Sequence, residues 1–92
     1  MVRSLIIREE DIAIQELDGD LFLADGKDGS IYRLNTTGAA LWRALESPVE
    51  IHDLEELFIC VFPSDNPDSI RRDISKLVDD LETNGLIRRM SV

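Results

Sequence analysis

Apolar and polar residues alternate along this chain with two different periods, and the change falls at Asn35. Ile12, Ile14 and Glu16 alternate with Ala13, Gln15 and Leu17, the period of two that suits a half-buried strand. Asp18-Gly19-Asp20 follows, and an Asp-Gly pair tolerates the positive φ of a tight hairpin turn. Residues 21–24 are then the return strand, 25–29 a second turn with two glycines, and 31–34 a third short strand. Three antiparallel strands joined in this way make a meander. Residues 1–10 are mixed, and are strand-like at best.

Beyond Asn35 the period becomes helical. Gly38, Leu41, Trp42 and Leu45 share one face, with Asn35 or Thr36 as the N-cap and Pro48 ending the region. Gly38 costs about 1 kcal/mol against alanine within a helix, which suggests that the helix lies close to the sheet there. A second helix over 52–62 carries a buried stripe of Leu54, Leu57, Phe58 and Val61 and stops at Pro63. In the third, Asn66 is the N-cap and Pro67 the first helical residue. Ile70, Ile74, Leu77, Val78 and Leu81 form its stripe, Gly85 takes the left-handed position past its end, and Leu86 closes back on Leu81. The expected architecture is α+β, with the meander first and the three helices after it.

At 92 residues the chain is one domain, 1–92, with a core too thin for a deep cofactor cavity. Ten Lys and Arg stand against 19 Asp and Glu, a net charge of -9 that repels a phosphate backbone. A single cysteine forms no internal disulfide, and no apolar run approaches the ~20 residues of a bilayer span. The expected protein is cytoplasmic, with no membrane and no nucleic acid among its partners.

Candidate chemistry is sparse. His52 and Cys60 are the only residues of their kinds, too few for a zinc site. Eight residues apart on one helix, they stand ~12 Å from each other, too far for a nucleophile–base pair. The carboxylates are dispersed over helix faces, and Gly26 and Gly29 flank a turn without the lysine of a phosphate loop. The expectation is therefore no catalysis, no metal and no cofactor, and a role in binding another polypeptide.

Two features remain. The second and third helices beside a small sheet resemble a helix-turn-helix with a wing, which makes a DNA-binding winged helix the alternative function. Arg71, Arg72 and Lys76 are interleaved with Asp73, Asp79, Asp80 and Glu82, however, and form no basic strip. The other feature is the third strand, whose edge can template an added chain or a second copy of the protein.

The stretch Gly29 to Leu45, GSIYRLNTTGAALWRAL, resembles the signature of the PqqD-like proteins in Tyr32, Leu34, Asn35, Gly38, Trp42 and Leu45. Leu81, Gly85, Leu86 and Ile87 match the family's C-terminal pattern, so the likeness spans roughly residues 12–88. It implies a winged-helix-like recognition domain for the leader segment of a ribosomally made precursor peptide, which it presents to a separate modifying enzyme or leader peptidase. The Thr-Thr-Gly after Leu-Asn looks most like the B1 proteins of lasso-peptide pathways. Carried over, the contacting residues are Ser30, Ile31, Tyr32, Arg33 and Leu34 on the third strand. On the third helix they are Arg71, Asp73, Ile74, Leu77 and Val78.

Overall fold

The computed structural model describes residues 4–91. In chain order the elements are β1 (Ser4–Arg8), β2 (Ile12–Leu17), β3 (Asp20–Asp25), β4 (Ile31–Leu34), α1 (Thr36–Ala44), β5 (Val49–Glu50), α2 (Ile51–Val61), α3 (Pro67–Thr83) and β6 (Ile87–Ser91). The α+β class and the meander stand: β2, β3 and β4 form one antiparallel sheet in that order, followed by three helices. The strand count does not. A second antiparallel sheet, ordered β5-β1-β6, is built from residues before, within and after the helical half. The mixed opening residues thus supply its middle strand.

Local chemistry places the element ends. The Asp18-Gly19 turn has φ of 52° and 86°, the signs a two-residue primed turn needs, and it fixes Leu17 opposite Asp20. Asn35 caps α1 by accepting from the Gly38 N–H at 2.9 Å, and Asn66 caps α3 by accepting from the Asp68 N–H at 2.8 Å. A Cβ on Gly38 would stand 3.1 Å from the Leu34 side chain, so this glycine permits the strand-to-helix corner to close. At the other end of α3, Gly85 has φ +74°. There the Leu86 N–H donates to the Leu81 carbonyl and the Gly85 N–H to that of Glu82, a Schellman closure.

One core joins the two sheets and the helices. Ile6 of β1, Leu23 of β3, Leu41 and Trp42 of α1, Leu54 of α2 and Leu81 of α3 are all buried. Arg8 ties the second sheet to α1. Its guanidinium lies 4.7 Å over the Trp42 ring and donates to the Trp42 carbonyl oxygen, so Trp42 is sealed from the β1 side. Burial lowers the Arg8 pKa, and the nearby Glu46 carboxylate opposes that shift. The α2 stripe is narrower than its sequence suggests: Leu54 and Phe58 are buried, whereas Leu57 and Val61 are exposed. No helix among the described residues is long and apolar enough to cross a membrane.

Candidate functional site

Strand β4 is paired on one side only, with β3, in the register Leu21–Leu34, Phe22–Arg33, Leu23–Tyr32 and Ala24–Ile31. The Asp25 N–H donates to the Ser30 carbonyl at 2.9 Å, which fixes the parity of the ladder. Backbone groups alternate sides along a strand, so those of Ser30, Tyr32 and Leu34 face β3. Those of Ile31 and Arg33 point to the open edge. Ser30 has no free donor, because its N–H is held by the Asp28 carboxylate at 2.8 Å. That bond also draws the Asp28 pKa down. The usable edge is therefore Ile31 to Arg33.

Side-chain parity is equally definite. Tyr32 and Leu34 turn toward the core, Leu34 buried and Tyr32 half-buried. Ile31 and Arg33 lie on the outer face, where Arg33 pairs with Asp20 at 2.8 Å. Helix α3 packs closely on α2 and β6 and not on β4. Tyr32 is the β4 residue that feels α3. Its phenol is pushed above the usual tyrosine range, first by burial and then by the negative charge of Asp80 on α3.

At 100° per residue, Ile70, Asp73, Leu77 and Asp80 lie on one flank of α3 and Arg71 on the other. Arg71 is engaged on that other side, 3.8 Å from Glu56 of α2 and 3.3 Å from Asp68. Of the ten residues expected at the site, Ile31 and Arg33 hold the open edge, Tyr32 and Leu77 are half-buried, and Asp73 and Ile74 line a depression away from β4. Leu34 and Val78 are buried in the core. Where α1, α2 and α3 meet there is a depression of about 130 Å³, lined by Thr37, Phe58, Phe62, Asp65, Ile70, Asp73 and Ile74. Thr37, Phe58, Phe62 and Asp65 were not legible as site residues, because the depression arises only where α1, α2 and α3 converge. Among the described residues no group of three or more His, Cys, Asp or Glu is arranged to hold a metal.

The Tyr32–Asp80 relation is directly measurable, since Tyr32 is the single tyrosine. A phenolate absorbance titration should give a midpoint above ~10, and Asp80→Asn should bring it down. The raised folded pKa stabilises the fold fully below about pH 10, and this contribution is lost as pH climbs through the folded value. A midpoint unaffected by Asp80→Asn would mean that α3 does not flank β4 at this point.

The comparisons with known proteins bear on this geometry. The family described as coenzyme PQQ synthesis protein D (PqqD) matches residues 20–87, from the start of β3 to the start of β6. No curated protein sequence matches the chain. Two similar solved structures share its fold. One is TbiB1 in complex with the TbiA(beta) leader peptide, with TM-score 0.76 and 18% identity over 89% of this chain and 94% of that one. The other is a lasso peptide synthetase B1 complexed with the leader peptide, with TM-score 0.73 and 26% identity over 90% and 96%. With the family match spanning most of its length, the chain belongs to the PqqD family.

Proposed function

We propose that residues 1–92 form a single recognition domain without catalysis of its own. It binds the leader segment of a ribosomally synthesised precursor peptide in the cytoplasm and presents it to a separate modifying enzyme or leader peptidase. The observation that carries this reading is the pair of outward-facing backbone units at Ile31 and Arg33 on the open edge of β4. An extended leader adds to that edge by main-chain hydrogen bonds, while side-chain pockets supply discrimination. Both similar structures are complexes with leader peptides, which supports the reading. In these terms the domain is winged-helix-like, with α2 and α3 as the helical pair and the β2–β3 hairpin as the wing. Nothing favours the DNA-binding alternative, and the net charge of -9 opposes it.

Amide hydrogen exchange tests the proposal. In the free protein the Ile31 and Arg33 amides should exchange fast and those of Tyr32 and Leu34 slowly. A bound leader should protect Ile31 and Arg33, and added salt should weaken it only modestly. Protection confined to α2 and α3, with the β4 edge still exchanging fast, would rule strand addition out.

A further inference from the structure

The depression where α1, α2 and α3 meet has a chemistry of its own. Its lining includes Thr37, which stands three residues after the end of β4, at the start of α1. The walls are apolar: Phe58 and Phe62, whose ring centroids are 6.1 Å apart, and the buried Ile70 and Ile74. The two charged residues that line it, Asp65 and Asp73, are both acidic. Asp65 is held against the end of α2, its N–H donating to the Phe62 carbonyl at 3.1 Å. Neither carboxylate has a side-chain partner among the described residues. Of the cations on α3, Arg71 is committed to Glu56 and Asp68 on the opposite flank, and neither Arg72 nor Lys76 pairs with Asp73.

From this we infer that the depression takes a lysine or arginine side chain of the bound peptide, with its stem against Phe58, Phe62, Ile70 and Ile74 and its cation beside Asp65 and Asp73. The inference rests on the strand-addition reading and names the side chain that sets its specificity. Long cationic side chains bury their methylenes on apolar surface and keep the charged head at the rim, which is the layout here. A volume of about 130 Å³ is some ten times the ~10–15 Å³ that one water needs, so there is room for a side chain. A leucine would fill the walls but leave both carboxylates facing it unpaired. A glutamate would meet two like charges in a domain that already carries -9. Arginine has the advantage over lysine where its fork reaches both carboxylates at once.

Selection of a displayed library of random 16-residue peptides on the purified full-length chain tests this. Selected peptides should carry Lys or Arg at one fixed spacing from their strand-forming segment. Changing that residue to Leu should weaken binding about five- to tenfold, and Asp65→Asn or Asp73→Asn should each cost about two- to fivefold. Neither Asp substitution should affect the Leu-bearing peptide, and Asp73→Lys should invert the preference toward Glu. Both aspartates are exposed, so the variants should melt close to wild type. Enrichment of Tyr or Leu, or indifference to both Asp substitutions, overturns the inference and leaves strand addition standing, provided Arg33→Pro still abolishes binding. Peptides that bind the Arg33→Pro protein as well as wild type, or a selection that yields no binders, overturn the underlying reading itself.

Discussion

Trp42→Ala is expected to remove about 3–5 kcal/mol of stability, the usual range for deleting a large aromatic from a packed core. Trp42 is only 2% exposed, and its neighbours in the core include Leu41 and Leu45 of its own helix region. The substitution also removes the ring beneath the Arg8 guanidinium, so a half-buried cation loses its stacking surface while keeping its bond to the backbone carbonyl. Domains of this size are stable by about 5–15 kcal/mol, and a loss in that range brings a protein at the lower end close to unfolding. Chemical denaturation measures it. A midpoint unchanged by the substitution would contradict the burial of this residue and the packing of α1 on the meander.

Arg33→Pro is expected to abolish or nearly abolish leader binding while the protein stays folded. The Arg33 N–H points away from β3, so a proline there breaks no rung of the existing ladder and sits where edge strands tolerate it. What it removes is the donor for an added strand, leaving a peptide carbonyl unpaired at a crowded edge. That loss costs about 1–3 kcal/mol, or roughly ten- to a hundredfold in affinity. Two companions isolate the cause. Arg33→Ala keeps the N–H and gives up only the exposed pair with Asp20, so it should bind within about fivefold of wild type. Tyr32→Pro removes a donor that faces Leu23 and should instead destabilise the fold. Titration calorimetry with the leader, checked by a thermal melt, separates the three. If Arg33→Pro is folded and binds like wild type, the leader does not pair with this edge.

The sequence was most legible where structure is decided by near neighbours. The Asp18-Gly19 turn, the two asparagine caps and the Gly85 closure each rest on a few adjacent residues, and each stands in the structure. The second sheet rests on nothing local. Strand β6 reads Ile-Arg-Arg-Met-Ser with all but its first residue exposed, and β5 is two residues long. Neither has a pattern of its own, and they become strands because β1 lies between them. The α2 stripe shows the converse limit: periodicity marks Leu57 and Val61 as apolar-face residues, but the core reaches only as far as Leu54 and Phe58. For the site, strand order in the meander was enough to pick out β4 as an edge. Which of its amides faces out depends on ladder parity, and the depression with Asp65 depends on three helices meeting.

The pairing of β1 with β6 has a consequence for how the chain is made. Ser4 stands opposite Ser91 and Arg8 opposite Ile87, so β1 finds its main partner only after all three helices have been made. Until then the nascent chain holds a locally closed meander and helices, but the apolar run Leu5-Ile6-Ile7 has just the two-residue β5 to pair with. Bringing β1 and β6 together closes a loop that contains every other element, so this step is slower than the local ones. In that interval β1 is a bare apolar strand beside a half-built core, the kind of segment that pairs with whatever edge it meets. Because β1 and β6 flank every other element in the sequence, their pairing, rather than formation of the meander, is the step at which this domain becomes whole.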